Sequence, residues 1–253
     1  IMPGLRYSHQ LVPYGLVGGI SPWNFPVALS LIDAVPALLA GCAVFVKPSE
    51  VTPRFVAPLR RAVADVPELA AVFDIAAGDG RTGAALIGQV DAACFTGSVA
   101  TGRKVAVAAA ERFIPAFLEL GGKDPAIILP SANLEDAADA ILRGAVVASG
   151  QVCLALERAY VHESRHDAFV DILVNKARQV QLNYPDIGKG DLGPLIFERQ
   201  ADIIEADLAA GQRNVGNFFR YADPPLDAAA FRHGEMTGDA CDAGIVEPVS
   251  GEL

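Results

Sequence analysis

Short apolar segments alternate with stretches of helical periodicity through the first half of this 253-residue sequence. Each segment joins several Val, Ile, Phe, Leu or Ala residues and runs into glycine, proline or serine, as in GLVGGI (15–20) and CAVFVKPS (42–49). Nearly continuous apolar strands that alternate with helices are typical of parallel sheets covered by helices on both faces. We therefore predict an α/β fold whose first part is a doubly wound parallel sheet.

The predicted elements of this first part follow one another in a regular order. Strands are predicted at 15–20, 42–49, 72–78, 93–98, 113–122 and 125–130, and helices at 25–41, from Pro53, at 80–88 and at 99–111. Gly41 predicts the end of the first helix, because glycine readily adopts the left-handed backbone found at helix C-termini. A break at GGKD (121–124) separates a Rossmann-like nucleotide-binding unit, residues 1–121, from a second α/β unit.

The second unit is predicted to contain a helix at 133–149, a strand at 158–163 and an amphipathic helix at 164–181. We assign residues 122–210 to the first part of this unit. From about residue 211 no period is sustained, and Gly, Pro and Asp cluster. Residues 211–253 are therefore predicted to form an irregular tail.

Composition limits the classes of protein and partner. Apolar residues make up 52% of the chain and charged residues 20%, which is a globular balance. The net charge of −10 disfavours nucleic acid and anionic membrane surfaces as partners. No apolar run reaches the roughly 18–20 residues that span a bilayer, and the chain start lacks the pattern of a secretory signal. Four cysteines without a CxxC pair indicate reduced thiols, so we expect a cytoplasmic protein.

The stretch ASGQVCLALER (148–158) places Cys153 directly after a turn-like Gly-Gln-Val segment. Two interpretations of this cysteine are open. Cysteine is among the most frequently buried residues, so one interpretation is a thiol that fills the core. The other is a nucleophile, which requires a thiolate stabilised by its surroundings, a base and an oxyanion donor.

Three other residues could supply the remaining functions of such a site. Glu119 is a carboxylate on an apolar strand, where it is costly unless it is paired or used in chemistry. Asn24 follows the first strand at the edge where open α/β sheets bind ligands, and its amide can donate to an oxyanion. Ser98 stands at a predicted helix N-terminus, which suits a pyrophosphate. A paired strand-end glutamate and a plain strand-to-helix turn are the alternatives for Glu119 and Ser98.

Five motifs taken together resemble the aldehyde dehydrogenase superfamily. They are PWNFP (22–26), KPSE (47–50), FTGS (95–98), LELGGK (118–123) and GQVC (150–153), in that family's order and at about its spacings. The resemblance covers about residues 11–210, which is about half of a family chain. It implies an N-terminally incomplete NAD-binding domain over 1–121, part of a catalytic domain over 122–210, and a divergent tail over 211–253.

The resemblance implies a covalent mechanism that oxidises an aldehyde to a carboxylic acid. Cys153 would be the nucleophile, Glu119 the general base, and Asn24 an oxyanion donor together with the Cys153 backbone N–H. The thiohemiacetal on Cys153 would lose a hydride to NAD, and Glu119 would activate the water that hydrolyses the resulting thioester. Relatives that transfer the acyl group to coenzyme A typically lack this glutamate, so its presence favours hydrolysis.

The resemblance also implies a set of cofactor-binding residues. Lys47 and Glu50 match positions that contact the adenosine ribose, and Ser98 matches a pyrophosphate contact. A carboxylate that accepts from both ribose hydroxyls repels a 2′-phosphate, so Glu50 favours NAD over NADP. The full predicted set is Ser21, Pro22, Trp23, Lys47, Ser49, Glu50, Gly78, Gly83, Phe95, Gly97, Ser98, Gly102 and Leu120.

Two departures from the family pattern concern the site and the tail. Ala148 stands where family chains often carry Asn, and the later ExFGP-type motif is missing, with VEPV (246–249) as its nearest match. We therefore expect the chain by itself to be weakly active and poorly stable, and a non-catalytic truncated remnant of the dehydrogenase fold is the main alternative. The expected partners are a small-molecule aldehyde and, in a full-length context, identical subunits in a homodimer or homotetramer.

HESRH (162–166) matches the HExxH signature of zinc hydrolases. That signature binds zinc only on one continuous helix, where both histidines face the metal. Here RAYVH predicts a strand, and Ser164 with Asp167 predicts a capping box that starts the next helix. Zinc hydrolysis is therefore a remote alternative, and we predict no metal site.

Overall fold

A five-stranded parallel sheet forms the first of two units in the computed structural model of this protein, which describes residues 8–183, 185–214 and 245–249. The chain divides into these units between Gly121 and Gly122. The strand order of the first sheet is β3-β2-β1-β4-β5, so the direction of winding reverses between β1 and β4. The strands are β1 Leu16–Ile20, β2 Ala43–Lys47, β3 Phe73–Ile75, β4 Ala92–Gly97 and β5 Ala116–Leu120.

Short helices connect these strands, and one of them differs from the prediction. The helices are α1 Pro26–Leu31, α2 Ala34–Leu39, α3 Val56–Ala64 after a 3-10 turn at Pro53–Phe55, α4 Pro67–Ala70, α5 Gly80–Ile87 and α6 Val99–Glu111. The single helix predicted for 25–41 is wrong, because α1 and α2 are separated at Ile32 and Asp33. Pro36 accounts for the break, since proline has no N–H and its ring clashes with the carbonyl four residues earlier. Gly41 follows α2 with a φ of 90°, which matches the predicted helix end.

Helices cover both faces of this sheet. On one face, Val44 and Val46 of β2 belong to a buried cluster that includes residues of α2 and α3. On the other face, Phe45 packs with Leu86 and Val90, at the end of α5 and just after it. The alternation follows from strand geometry, in which successive side chains point to opposite faces. The predicted α/β fold with a doubly wound parallel sheet is therefore confirmed.

A three-stranded parallel sheet forms the second unit, in the order β6-β7-β8. Ile128 and Val161 of this sheet pack against Phe169 and Val170 of α8, and Ala138 of α7 completes the buried cluster. The elements are β6 Asp124–Ile128, α7 Leu134–Val146, a 3-10 segment at Val147–Gly150, β7 Leu156–His162, a 3-10 turn at Glu163–Arg165, α8 His166–Ala177, α9 Arg199–Asn214 and β8 Ile245–Val249.

Only part of the predicted irregular tail, 211–253, falls within the described residues. Residues 211–214 complete α9, and residues 245–249, which include VEPV, form β8 beside β7. Residues 215–244 and 250–253 lie outside the described residues. Across the described parts of the chain, no helix combines the length and the apolar content needed to cross a membrane.

We expect Val46→Ala to lower the free energy of unfolding by about 2–3 kcal/mol, because this side chain is 1% exposed and its truncation leaves a cavity. The matched control is Val107→Ala on α6, where the side chain is 60% exposed and the change should stay within about 0.5 kcal/mol. Chemical denaturation followed by circular dichroism measures both values. Equal effects of the two substitutions would contradict the assigned core.

Candidate active site

The carboxyl ends of the parallel strands in the first unit meet at one edge of the sheet. Residues 21–24 follow β1, residues 47–50 end and follow β2, residues 97–98 end and follow β4, and residues 119–120 end β5. Open α/β sheets bind ligands at this edge, next to the point where the strand order reverses. Most of the residues that the sequence predicts for the site therefore share one edge of the first unit.

The loop after β1 is fixed by hydrogen bonds. The Ser21 N–H donates to the Lys47 carbonyl at 3.1 Å. The Thr52 hydroxyl donates to the Trp23 carbonyl at 3.0 Å. The loop residues that are half-buried are Pro22, Trp23 and Asn24. The Asn24 side chain is thus carried by a backbone that is held at two points.

A buried lysine and an exposed glutamate form an ion pair at the end of β2. The Lys47 ammonium lies 3.0 Å from the Glu50 carboxylate, and their side chains are 5% and 59% exposed. A hydrogen bond from its own backbone N–H lowers the pKa of Glu50, and the Lys47 ammonium lowers it further against the opposing effect of partial burial. The Ser49 hydroxyl accepts from the Val51 N–H at 3.2 Å and fixes the turn between them. Glu50 is therefore an ionised, accessible acceptor at neutral pH.

The two glycine-containing helix N-termini of the first unit differ in charge. At α5, the Asp79 carboxylate accepts from the N–H groups of Arg81 and Thr82 at 2.9 and 3.3 Å. At α6, the neutral Ser98 hydroxyl accepts from the Thr101 N–H at 3.3 Å. A carboxylate repels a phosphate, whereas a hydroxyl does not. Arg81 lies 3.0 Å from Asp79 and offsets part of its charge, but Asp79 already accepts from two N–H groups of α5. Of the two, the N-terminus of α6 is therefore the more open to an anion.

A glycine in α6 allows this helix to pack closely against the sheet, and a glycine in α5 faces the same edge. A Cβ at Gly102 in α6 would lie 2.5 Å from Leu120 Cδ2, so a side chain there would displace Leu120. A Cβ at Gly83 in α5 would lie 3.4 Å from Ile20 Cδ1 and 4.0 Å from Lys47 Cδ. Gly102 therefore sets the distance between α6 and the carboxyl edge, whereas a side chain at Gly83 would meet its neighbours at ordinary van der Waals distances.

Phe95, which the sequence predicts as a cofactor contact, lies in the core of the first unit. Its side chain is 4% exposed and packs with Ile87 and Val105. A Cβ at Gly97 would lie 2.7 Å from the Phe95 ring, so the ring rests against the backbone of the FTGS motif. Within this unit, Phe95 supports the start of α6 from the interior.

Glu119 lies on the edge strand β5, opposite Thr96 of β4, and is exposed. Asp33, in the break between α1 and α2, is a second acid in its vicinity that the sequence did not identify. Partial burial raises the pKa of Asp33, and the negative charge of Glu119 raises it further. Burial raises the pKa of the Cys94 thiol to about 11, with Asp33 adding to the effect. Cys94 is therefore a protonated core thiol, and the negative charges of Asp33 and Glu119 disfavour each other.

Cys153 lies in a turn between the 3-10 segment Val147–Gly150 and β7, and it is exposed. Cys42 and Cys94 are buried, so Cys153 is the accessible one of the three cysteines in the described residues. The interpretation of Cys153 as a core-filling thiol is therefore wrong. Its turn follows three successive residues with left-handed backbone, whose φ angles of 51°, 59° and 71° belong to Ala148, Ser149 and Gly150.

The two histidines of HESRH lie on different elements. His162 is the last residue of β7, and His166 is the first residue of α8. The His162 side chain accepts from the Ser164 N–H at 3.3 Å, so the predicted capping box of Ser164 and Asp167 is wrong. In the part of the chain that the structure describes, no three His, Cys, Asp or Glu side chains are grouped to hold a metal ion. Because the signature needs both histidines on one helix, this segment lacks the geometry of a zinc hydrolase.

The candidate catalytic residues are divided between the two units. Asn24 and Glu119 belong to the first unit, as do all of the predicted cofactor contacts, whereas Cys153 belongs to the second. Glu119 and Cys153 are both exposed. The two groups with reactive potential, a carboxylate and a thiol, are therefore open to solvent within their own units.

Comparison with known proteins identifies what the chain is similar to. The model of the aldehyde dehydrogenase family matches residues 3–218. The 4,4'-diapolycopene aldehyde oxidase of Methylomonas sp is 39% identical over 220 residues, which cover 82% of this chain and 40% of that protein. The chain therefore spans less than half the length of this curated relative.

Solved structures of aldehyde dehydrogenases also match the chain, again over about half of their length. PutA of Anabaena variabilis is 59% identical with a TM-score of 0.78, over 82% of this chain and 44% of that one. The Mycobacterium tuberculosis aldehyde dehydrogenase complexed with NAD+ is 30% identical with a TM-score of 0.81, over 94% of this chain and 53% of that one. At these identities the similarity extends beyond the fold to the family.

We expect Asp33→Asn to stabilise the protein at pH 7, because the raised pKa of Asp33 means that the folded state disfavours its charge. Stability contributed by such a group is present below its unfolded pKa and falls as the pH rises through the raised folded value. The gain should therefore disappear in acid, below the unfolded pKa of an aspartate. Denaturation curves at several pH values measure it.

The control for this prediction is Asp65→Asn, at an exposed aspartate of the same unit. The gain from Asp33→Asn should also be smaller in a Glu119→Gln background, because one source of the repulsion is then absent. A loss of stability at pH 7 on replacing Asp33 would contradict the repulsion between the two acids.

Proposed function

The chain belongs to the aldehyde dehydrogenase family, and we propose that it oxidises an aldehyde to a carboxylic acid with NAD, through a thiohemiacetal and a thioester on Cys153. The exposure of Cys153 carries this proposal. A cysteine that only filled the core would be buried, as Cys42 and Cys94 are. In a chain of this family, an exposed cysteine in the GQVC motif is instead available for attack on a carbonyl carbon.

The first step assigns Cys153 as nucleophile. Its thiolate attacks the aldehyde carbon, so that an S–C bond forms and the carbonyl oxygen becomes an oxyanion. The Cys153 backbone N–H and the Asn24 amide are assigned as donors to this oxyanion, because donors that are fixed in advance stabilise developing charge. The hydrogen bonds made by Ser21 and Thr52 in and beside the loop that carries Asn24 support this assignment.

The second step converts the thiohemiacetal into a thioester and then into the acid. NAD, when bound, accepts the hydride that leaves the thiohemiacetal carbon. Glu119 is assigned as the base that removes a proton from water, which attacks the thioester, releases the acid and restores the thiol. The exposure of Glu119 on an edge strand supports this role, because water reaches it directly.

The carboxyl edge of the first unit supplies groups that fit NAD. Glu50, paired with Lys47, is an ionised acceptor for the ribose hydroxyls, and the α6 N-terminus at Ser98 suits the pyrophosphate. Phe95 supports this N-terminus from the core. The remaining residues proposed to line or shape the cofactor site are Ser21, Pro22, Trp23, Ser49, Gly78, Gly83, Gly97, Gly102 and Leu120.

The domain roles and the assembly are part of the same proposal. Residues 1–121 would be the NAD-binding domain and residues 122–210 part of the catalytic domain, which the division of the chain after Gly121 supports. A homodimer or homotetramer would cover apolar side chains such as Phe117 and Leu39, which are 56% and 84% exposed. The free cysteines support a cytoplasmic location, and the substrate would be a small aldehyde.

We expect Cys153→Ser to reduce NAD-dependent aldehyde oxidation by about a thousandfold or more, because the nucleophile is lost. Glu119→Gln should keep a single burst of NADH and lose steady turnover, since the thioester forms but hydrolyses slowly. Stopped-flow absorbance of NADH over a panel of aldehydes measures both. Cys42→Ala, at a buried thiol, is the matched control.

Full activity of Cys153→Ala would contradict the mechanism. The chain covers only 40% of the length of its curated relative, which favours a second candidate function, that of a non-catalytic remnant of the same fold. That candidate requires that the parent chain reduce no NAD with any aldehyde of the panel.

We expect the parent chain to prefer NAD over NADP. The Glu50→Gln variant should lower the ratio of kcat/KM for NAD to kcat/KM for NADP by about tenfold or more, because the carboxylate no longer repels a 2′-phosphate. Steady-state kinetics with both cofactors measure the ratio. Glu68→Gln, at an exposed glutamate in α4, is the control. An unchanged ratio in Glu50→Gln would show that another residue sets the cofactor preference.

A further inference from the structure

The backbone that leads into the Cys153 turn is strained. Ala148 and Ser149 are non-glycine residues with φ of 51° and 59°, and Gly150 continues the left-handed run with a φ of 71°. Side chains with a Cβ disfavour this conformation, so it persists only where surrounding contacts hold it. Hydrogen bonds within the second unit hold this backbone in place.

Ser149 and Gln151 make these contacts with one distant segment. The Ser149 hydroxyl donates to the Gly193 carbonyl at 3.0 Å and accepts from the Gly193 N–H at 2.8 Å. The Gln151 side chain accepts from the Ile196 N–H at 2.8 Å and donates to the Ala148 carbonyl at 3.2 Å. Two side chains thus join the strained turn to residues 191–196, which we name the anchor segment.

The anchor segment is itself fixed to the chain that follows α8. The Asn183 N–H donates to the Leu192 carbonyl at 2.8 Å, and the Leu192 N–H donates to the Gln181 carbonyl at 3.0 Å. The Gln181 N–H donates to the Asp191 carboxylate at 3.0 Å. The partner of the Cys153 turn is therefore a backbone that is already held on its other side.

We propose that Ser149 and Gln151 are positioning residues that orient the Cys153 turn by binding it to the anchor segment. This inference rests on the proposed function of Cys153. The thiol and the backbone N–H of Cys153 belong to the same turn, so the orientation of the turn sets both the line of attack and one oxyanion donor. Loosening the turn would leave the exposed thiol reachable but would misplace it for reaction at a carbonyl.

The test compares two reactions of the thiol in a Cys241→Ser background, which removes the cysteine outside the described residues. With p-nitrophenyl acetate, the Cys153 thiolate attacks the acetyl carbon, p-nitrophenolate leaves, and an acetyl thioester remains on Cys153. With iodoacetamide, the thiolate displaces iodide and needs only access. Neither reaction requires a cofactor, so both can be followed on the chain as it stands.

In Ser149→Ala and in Gln151→Met we expect the rate of acylation to fall by about tenfold, towards that of the urea-unfolded chain. The rate of alkylation should change by less than about threefold, because the thiol is exposed in either state. Ser131→Ala, at an exposed serine of the same unit, is the matched control and should leave both rates unchanged. Melting curves by circular dichroism identify the variants that fold.

Acylation rates of both variants within about twofold of the parent would overturn the proposal, as would a parallel fall of acylation and alkylation. If Ser149→Ala does not fold, Ser149→Gly replaces it, because glycine accepts the left-handed backbone while lacking the hydroxyl. Failure of the proposed function gives a different result, since Cys153→Ser would then retain the burst of p-nitrophenolate.

Discussion

The pairing of β1 with both β2 and β4 is the constraint on which the arrangement of the first unit depends. A Cβ at Gly18 would lie 2.8 Å from Val90 Cγ1, and one at Gly19 would lie 3.4 Å from Val46 Cγ2. Gly18 therefore lets Val90 approach the central strand more closely than a side chain would allow, while a Cβ at Gly19 would meet Val46 at an ordinary van der Waals distance. Because the chain winds in opposite directions on the two sides of β1, the loops that leave the carboxyl edge diverge and open the crevice in which ligands bind.

Charged groups stand near this crevice although the strands that lead to it are apolar. Lys47 is buried, which is tolerable because the Glu50 carboxylate accepts from its ammonium. Asp33 is in the opposite situation, since the raised pKa shows that burial and Glu119 both oppose its charge. One carboxylate is thus stabilised as an anion by a lysine, while burial and a second acid disfavour the charge of another in the same unit.

The sequence predicts the strands well, because runs such as AVFVK and AACFTG are apolar on both faces and suit no other position. It fails where the outcome depends on a neighbour in space. The prediction of one helix over 25–41 overlooked Pro36, which is a local signal, but the effect of Glu119 on Asp33 depends on tertiary packing and on the pairing of β4 with β5. Phe95 belongs to a predicted site motif, yet both faces of β4 are covered, so that its side chain lies in the core. The positions of the cysteines in the sequence do not predict their exposure either. In the structure Cys153 is exposed, whereas Cys42 and Cys94 are buried.

The turn at Cys153 shows how far a local motif can depend on distant structure. Family chains often carry Asn where Ala148 stands, and Asn tolerates a left-handed backbone better than Ala does, so Ala148 adds strain of about 1 kcal/mol. The hydrogen bonds that oppose this strain come from Gly193 and Ile196, more than forty residues further along the chain. A peptide of residues 148–158 would lack these partners and would relax. The backbone of this turn therefore depends on the folded second unit, including the chain beyond α8.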